Sequence, residues 1–120
     1  MNDCVLYAED EDGTRTLVSA RLREEGYDVV EARDGGEAID ALCRNAFALV
    51  LLDIRMPGKN GIEVLKHMKA SQIRPRVIMV TAVEDLAIAL EAMKLGATDY
   101  VTKPFTMETL IGCIRKVLAR

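Results

Sequence analysis

The sequence predicts an α/β fold of three layers, in which helices cover both faces of a parallel β-sheet. Five short apolar runs alternate strictly with longer segments of helical period. Parallel strands joined through helices need right-handed crossovers, which place helices on both faces of the sheet. The third run, 47 to 53, is apolar up to its last residue, as expected for a central strand that is buried on both faces.

The predicted elements follow one another along the chain without interruption. Strands are predicted at 4 to 8, 27 to 32, 47 to 53, 76 to 82 and 99 to 103, and helices at 13 to 25, 35 to 44, 60 to 70, 85 to 95 and 106 to 119. The strand segments "CVLYA", "YDVVEA", "FALVLLD", "RVIMVTA" and "DYVTK" are short and rich in aliphatic or β-branched residues. Gly26 and Gly96 follow the first and fourth helices, where glycine commonly ends a helix.

The last two helices carry further information. The fourth, "DLAIALEAMKLGA", is apolar on nearly every side, so we expect Ile88 or Leu95 to face outward as part of a partner or dimer surface. Scattered exposed aliphatic residues are also normal, so this interpretation has an equal alternative. The fifth has an apolar side formed by Met107, Leu110, Ile111, Ile114, Val117 and Leu118. Its last turns hold Arg115, Lys116 and Arg120, which suit the negative end of the helix dipole.

Length and composition exclude several classes of function. With 120 residues the chain has room for one domain, 1 to 120, which buries about two thirds of its unfolded surface. Its 16 basic and 19 acidic residues give a net charge of −3, and no basic stripe could follow a nucleic acid backbone. There is no signal peptide pattern, and no apolar run approaches the ~20 residues of a membrane span. We therefore expect a cytoplasmic protein that binds neither nucleic acid nor membrane.

The cysteines and glycines indicate no redox or nucleotide site. Cys4, Cys43 and Cys113 lack the CxxC spacing of metal sites and redox pairs and lie in apolar contexts. We expect them to be buried, reduced thiols. Neither the GxGxxG pattern nor the P-loop pattern of nucleotide-binding proteins occurs.

Polar side chains stand at the ends of four predicted strands. Glu9 and Asp10 follow the first strand, and Asp53, Thr81 and Lys103 lie at the ends of the third, fourth and fifth. Ligands of open parallel sheets bind at the carboxyl ends of the strands, where neighbouring connections leave to opposite faces. In the strand order 2-1-3-4-5 the three carboxylates converge beside a hydroxyl and an ammonium group. Such carboxylates repel one another, and a hard divalent cation such as Mg²⁺ relieves the repulsion.

Each of these residues alone has a simpler explanation. Asp commonly caps helices, and Lys commonly extends along the surface to reach water. Five such residues at matched strand ends favour a common site, because independent caps need not fall on one edge of a sheet. The sequence therefore predicts a Mg²⁺ pocket with one nucleophilic carboxylate.

The segments "VLYAED", "LVLLDIRMPGKNGIEVL", "VIMVTA" and "GATDYVTKPF" resemble the receiver domain of two-component response regulators over essentially the whole chain. The motifs are specific in combination, because the acidic pair, Asp-x-x-Met-Pro-Gly, Thr-Ala and Lys-Pro-Phe occur in order at suitable spacing. The resemblance implies a flavodoxin-like (βα)5 fold with strand order 2-1-3-4-5. It also implies a signalling switch that is not an enzyme, apart from Mg²⁺-dependent self-phosphorylation and slow autodephosphorylation.

The resemblance implies that Asp53 accepts a phosphoryl group from a phosphohistidine of a sensor histidine kinase or phosphotransfer protein, or from acetyl phosphate. Thr81 would then hydrogen-bond one phosphoryl oxygen, and Lys103 would pair with another. In this family the Lys103-Pro104 peptide is typically cis, whereas only about 5–6% of X-Pro bonds in folded proteins are. Phosphoryl transfer depends mainly on positioning and charge neutralisation, which these groups could supply.

For the metal, the resemblance implies direct ligation of Mg²⁺, or of Mn²⁺ in its place, by Asp10, Asp53 and the backbone carbonyl of Arg55. Glu9 would act through water, and it departs from the Asp that is usual at this position in the family. Glutamate still supplies the carboxylate, so no required chemical group is missing.

The resemblance also implies a route for the output signal. In the family it runs from Thr81 to an aromatic residue on the fifth strand, here Tyr100, and on to the surface of the fourth helix, fifth strand and fifth helix. That surface would contact an output domain, a partner or a second copy. Tyr100 could instead be an ordinary core aromatic, since strands favour Tyr.

Two rival interpretations are disfavoured. A phosphatase of the haloacid dehalogenase type would need a second Asp two residues after Asp53, and Arg55 occupies that position. A degenerate receiver that only binds partners would lack one or more of the expected groups, and all are present. Whether the chain acts alone or belongs to a larger regulator is open at this point.

Overall fold

The structure, a computed structural model, describes residues 2–119, in which five strands alternate with five α-helices. The strands are β1 (Cys4–Ala8), β2 (Asp28–Ala32), β3 (Leu49–Asp53), β4 (Arg76–Ala82) and β5 (Asp99–Lys103). The helices are α1 (Asp12–Glu24), α2 (Gly35–Arg44), α3 (Gly61–Ala70), α4 (Leu86–Lys94) and α5 (Met107–Leu118). A short 3-10 turn over Val83–Asp85, which was not predicted, separates β4 from α4. Arg120 lies outside the described residues.

All five strands form one parallel sheet in the order β2-β1-β3-β4-β5, which confirms the predicted fold class. The register aligns the strand ends. Pairing of β1 with β3 puts Glu9 and Asp53 one position beyond the same register pair, and pairing of β4 with β5 puts Ala82 level with Lys103. The loops that follow β1, β3, β4 and β5 therefore all begin at the same edge of the sheet, where their first residues can share one site.

Two layers of apolar side chains fill the space between the sheet and its helices. The α3-side layer lies beneath α2, α3 and α4, and the α1-side layer lies beneath α1 and α5. Strand β3 serves both layers, because Val50 and Leu52 point into the first and Leu49 and Leu51 into the second. All four side chains are fully buried. Burial on both faces explains why this strand is continuously apolar instead of alternating.

The predicted apolar side of the last helix is confirmed. Leu110, Ile111, Ile114 and Val117 are buried in the α1-side layer, and Met107 and Leu118 pack at its margin. Gly26 and Gly96 end their helices with φ of +95° and +109°, a conformation in which a Cβ atom is unfavourable.

The prediction that Ile88 or Leu95 faces outward from the fourth helix was wrong. Ile88 and Leu95 are half-buried and pack against the α3-side layer, whereas Leu90 is 56% exposed. The buried side of α4 includes Ala92, and residues three or four positions away share that side of a helix. Leu90 lies two positions away, on the opposite side. In a helix that is apolar all round, periodicity alone does not distinguish these faces.

The expectation of buried cysteines was also wrong. Cys43 is exposed, Cys4 and Cys113 are half-buried, and none of the three is in a disulfide. On α2 the buried side is defined by Ala38 and Leu42, and the next residue, Cys43, is turned about 100° away from it.

Gly61, the first residue of α3, fits closely under the end of β3. Its N–H donates to the Ile54 carbonyl at 2.8 Å. A Cβ atom at this position would collide with the backbone carbonyl oxygen of Asp53 and lie 3.0 Å from the Ile54 Cα. The absence of a side chain here allows α3 to begin directly against the strand that carries Asp53.

We predict that Gly61→Ala lowers the free energy of unfolding by about 1–3 kcal/mol, because the new methyl group presses against backbone that no rotamer change can relieve. Gly112→Ala is the matched control, since nothing lies within 4 Å of a Cβ atom there and the residue is exposed on α5. That variant should be more stable than wild type by about 0.5–1 kcal/mol. Urea denaturation followed by circular dichroism measures both, and a stabilised Gly61→Ala would contradict the close fit.

Candidate functional site

The three predicted carboxylates lie together at the carboxyl edge of the sheet. One carboxylate oxygen from each of Glu9, Asp10 and Asp53 lies within 4.8 Å of the other two. Glu9 and Asp53 are almost completely buried, at 1% and 5% exposed, whereas Asp10 is exposed. Burial raises the pKa of the Asp10 carboxyl, and the neighbouring Glu9 raises it further. The cluster therefore opposes the ionisation of its most exposed member.

Lys103 joins two of these carboxylates. Its Nζ donates to Glu9 Oε1 and to Asp53 Oδ2, each at 2.8 Å, although the partners lie 94 and 50 residues away in sequence. Burial alone would lower the pKa of Lys103, but the hydrogen bonds to Asp53 and Glu9 outweigh it and raise the pKa. The ammonium group is therefore charged, and it offsets part of the negative charge of the cluster. The Lys103-Pro104 peptide is cis, as the resemblance implied.

The Asp53 carboxylate is held at both oxygens. Oδ2 accepts from Lys103, and Oδ1 accepts from the Arg55 backbone N–H at 3.2 Å. The chain beyond Asp53 is tied to β4 by a bond of 3.2 Å from the Ile54 N–H to the Val80 carbonyl. The carboxylate therefore has a defined orientation at the end of its strand.

The two predicted switch residues, Thr81 and Tyr100, lie on β4 and β5 and are not part of the acidic cluster. Thr81 is fully buried on β4, and its hydroxyl donates to the Ala82 carbonyl at 3.1 Å. Tyr100 on β5 is level with Met79 and 37% exposed, so it is not a core aromatic. Its register position is three residues before Lys103. Tyr100 therefore belongs to the outer surface of β5, away from the strand end that carries Lys103.

The side chain of Arg55 has a partner that the sequence analysis missed. Its Nε donates to Asp85 Oδ2 at 2.6 Å, and its Nη2 donates to Asp85 Oδ1 at 2.7 Å. The hydrogen bond from Arg55 lowers the pKa of Asp85. The two residues are 30 positions apart on different loops, so no local pattern indicates the pair.

Arg15 is a second missed residue, and it supports the first loop of the site. Its Nη1 donates to the Glu9 carbonyl at 2.8 Å, and its Nη2 pairs with Asp12 at 2.6 Å. The side chain is only 9% exposed. The three-residue spacing of Asp12 and Arg15 on α1 could have indicated their ion pair, but the contact with Glu9 depends on how α1 packs.

A cleft of about 450 Å³ opens beside the acidic cluster. Asp10, Arg55 and Asn60 contribute polar groups to its wall, and Ile88 of α4 contributes an apolar one. The cleft gives a small anionic group access to the strand ends from the side on which Asp10 is exposed. Its walls come from two loops and one helix, at the carboxyl edge where such sheets bind ligands.

Comparison with known proteins agrees with this arrangement. The family model of the response regulator receiver domain matches residues 5–115 of the chain. This chain belongs to the response regulator receiver domain family. Receiver domains are the phosphoryl-accepting signalling domains of two-component systems and not enzymes of metabolism. The family therefore agrees with the prediction that this chain is a signalling domain.

Relatives of known sequence and structure cover nearly all of this receiver domain. It is 36% identical over 118 residues to Sporulation initiation phosphotransferase F of Bacillus subtilis, covering 98% of this chain and 95% of the relative. It is 37% identical to the uncharacterized transcriptional regulatory protein YkoG of Bacillus subtilis, over 95% of this chain and 50% of that protein. The solved receiver domain of the Francisella response regulator 1452 superposes with a TM-score of 0.92 at 31% identity, covering 99% and 98% of the two chains. The chain thus spans nearly the whole of some relatives and half of another.

We predict that Asp10→Asn stabilises the metal-free receiver domain at neutral pH, by at most about 1 kcal/mol because Asp10 is exposed and its repulsion is screened. Folding raises the pKa of Asp10. The wild type therefore loses stability relative to the variant as the pH rises above the unfolded pKa of about 3.9.

Thermal unfolding in the presence of EDTA, repeated from acid to neutral pH, measures this difference. Asp3→Asn is the charge-matched control, because Asp3 is exposed and precedes β1 at the opposite edge of the sheet. An equal gain in the control would assign the effect to net charge and not to the cluster.

Proposed function

We propose that this receiver domain is a phosphorylation-dependent switch in which Asp53 accepts the phosphoryl group. The observation that carries the proposal is the ammonium of Lys103, which lies 2.8 Å from an oxygen of Asp53 inside an acidic cluster. A buried carboxylate beside a fixed positive charge and an open cleft is suited to attack an anionic phosphoryl donor.

The reaction requires little chemistry beyond positioning. An oxygen of Asp53 attacks the phosphorus of a phosphohistidine on a sensor kinase or phosphotransfer protein, or of acetyl phosphate. A phosphorus–oxygen bond forms, the bond from phosphorus to the donor breaks, and its electron pair leaves with the donor. Lys103 then pairs with a phosphoryl oxygen, and Thr81 hydrogen-bonds another after its hydroxyl turns from the Ala82 carbonyl.

The donor atoms fit a hard divalent cation. Three carboxylate oxygens from Glu9, Asp10 and Asp53 within 4.8 Å of one another match the preference of Mg²⁺ for oxygen ligands with several retained waters. Asp10, Asp53 and the Arg55 carbonyl would bind directly and Glu9 through water, with Mn²⁺ as an alternative ion. When bound, the ion supplies positive charge that offsets the negative charge on the transferring group.

The same groups argue against a phosphatase that turns over rapidly. Such an enzyme needs an acid–base group two residues after the nucleophile, and Arg55 stands there. Arginine is not deprotonated in proteins, so it cannot activate water as a base. We therefore assign slow autodephosphorylation and no other enzymatic activity.

The output surface in this proposal is formed by α4, β5 and α5. Leu90 on α4 and Tyr100 on β5 are the large apolar side chains exposed there, at 56% and 37%. A contact of Thr81 with the phosphoryl group would draw in the loop between β4 and α4, and Tyr100 would respond on the neighbouring strand. The partner is a sensor kinase, an attached output domain or a second copy of the chain.

We propose a cytoplasmic location, where two-component phosphotransfer takes place. Within residues 2–119, no helix is long and apolar enough to cross a membrane. We propose that residues 1 to 120 form a single receiver domain; the match to the longer protein YkoG, over 95% of this chain and 50% of YkoG, is consistent with this.

The central prediction is that incubation with acetyl phosphate and Mg²⁺ adds one phosphoryl group to the wild type and none to Asp53→Asn. Intact-mass spectrometry measures the addition, and EDTA should prevent it. Asp40→Asn is the control, because Asp40 is an exposed aspartate on α2 whose side chain pairs with Arg44. Phosphorylation of Asp53→Asn to the wild-type level would overturn the proposed acceptor.

Thr81 tests the switch separately from the phosphorylation. Thr81→Ala should still bind Mg²⁺ and accept a phosphoryl group, but the amide NMR signals of Tyr100 and α4 should respond to phosphorylation by less than half as much as in wild type. Thr81→Ser keeps the hydroxyl and should restore the response. If Thr81→Ala responds as fully as the wild type, the assigned contact is wrong.

A further inference from the structure

The Arg55–Asp85 ion pair is a strong contact at the cleft that phosphoryl transfer itself does not use. It connects the loop after β3 to the residue immediately before α4. The Asp85 side chain is 3% exposed, whereas the Arg55 side chain is 71% exposed. The carboxylate is therefore confined by its surroundings, and the guanidinium is the partner that is free to move.

Asp85 occupies a position where its carboxylate would ordinarily serve a helix. It is the N-cap residue of α4, but its side chain makes no cap hydrogen bond. The N-cap residues of the four other α-helices, Glu11, Asp34, Asn60 and Thr106, all accept from a backbone N–H of the first turn. The start of α4 is thus attached to the β3 loop through Arg55 instead of being capped by its own aspartate.

Arg55 also belongs to the wall of the cleft next to the acceptor. Its backbone N–H contacts Asp53 Oδ1 at 3.2 Å, and the residue lines the same cleft as Asp10. Phosphorylation of Asp53 replaces a carboxylate by a group with roughly twice the negative charge. A guanidinium binds phosphate in the same two-pronged way as it binds a carboxylate, so the two anions compete for it.

We infer that Asp85 holds Arg55 away from Asp53 before phosphorylation and that the phosphoryl group then takes the guanidinium over, which releases the start of α4. The inference rests on the proposed function and adds a positioning residue to it. Once released, the Asp85 carboxylate can cap the first turn of α4. The negative charge of the phosphoryl group at Asp53 thereby alters the hydrogen bonding at the start of the output helix. By linkage, a change that breaks the pair but keeps the Arg55 guanidinium must favour the binding of a phosphoryl group.

Beryllofluoride, a phosphoryl mimic that binds without a covalent bond, gives the cleanest test. Fluorine NMR titrations in Mg²⁺ measure its affinity for wild type, Asp85→Asn, Arg55→Gln and the double variant. We expect Asp85→Asn to bind about fivefold or more tightly, the lower end of typical coupling between sites. In the Arg55→Gln background the same change should alter affinity by less than about twofold, because no guanidinium remains to compete for.

Glu84→Gln is the control, since Glu84 is exposed beside Asp85 and carries the same charge without a bond to Arg55. The inference is overturned if Asp85→Asn gains no affinity, if the gain persists in Arg55→Gln, or if Glu84→Gln matches it. If Asp85→Asn does not fold, Arg55→Gln alone decides. Its ligand-free α4 amide signals should move toward the positions that wild type adopts with beryllofluoride, and unchanged signals would refute the exchange.

The same titrations separate this inference from the proposed function. If wild type fails to bind beryllofluoride, or if Asp53→Asn binds it equally well, the proposed function is wrong as well. If wild type binds it but the effects of the Asp85 and Arg55 substitutions are independent, only the exchange is wrong.

Discussion

The contact of Lys103 with Glu9 and Asp53 is the interaction on which the rest of the site depends. One ammonium group from β5 reaches carboxylates at the ends of β1 and β3, which belong to other parts of the sheet. That reach requires the order β2-β1-β3-β4-β5, because β1 and β3 must be neighbours for their carboxylates to share a cation. It also requires the strands to end at a common edge, which the parallel register provides. The central strands are buried on both faces, and this rigidity keeps the charged groups close despite their repulsion.

The site and the core have opposite effects on stability. Like charges gathered at Glu9, Asp10 and Asp53 disfavour the folded state, and Lys103 offsets only part of that cost. The two apolar layers supply the stabilisation, with Leu49, Leu51 and their neighbours on β3 fully buried. In the proposed function, a bound divalent cation would relieve this unfavourable negative charge and prepare the site for an anionic phosphoryl donor. Under that proposal, the local cost of the charge cluster serves the function.

The loops add a second level of organisation to the strand ends. Arg15 holds the β1 loop through the Glu9 carbonyl, and Arg55 connects the β3 loop to the start of α4. Both arginines act on backbone or buried carboxylate groups that lie next to the acidic cluster without belonging to it. The 3-10 turn over Val83–Asp85 lies between buried Thr81 and α4, so few residues separate the predicted switch residue from this helix.

The sequence by itself determined the fold class and the exact bounds of β1, β4, β5 and α2. It also identified Glu9, Asp10, Asp53 and Lys103, which the structure brings together. Their signals are local: the period of apolar residues defines each element, and a polar residue after an apolar run marks a strand end. The tertiary structure alone decided which side of α4 is exposed, that Cys43 faces solvent, and that Arg55 pairs with Asp85. An all-apolar helix has no periodic signal to orient it, and the ion pair joins residues 30 positions apart whose proximity arises only when β3 and β4 lie side by side.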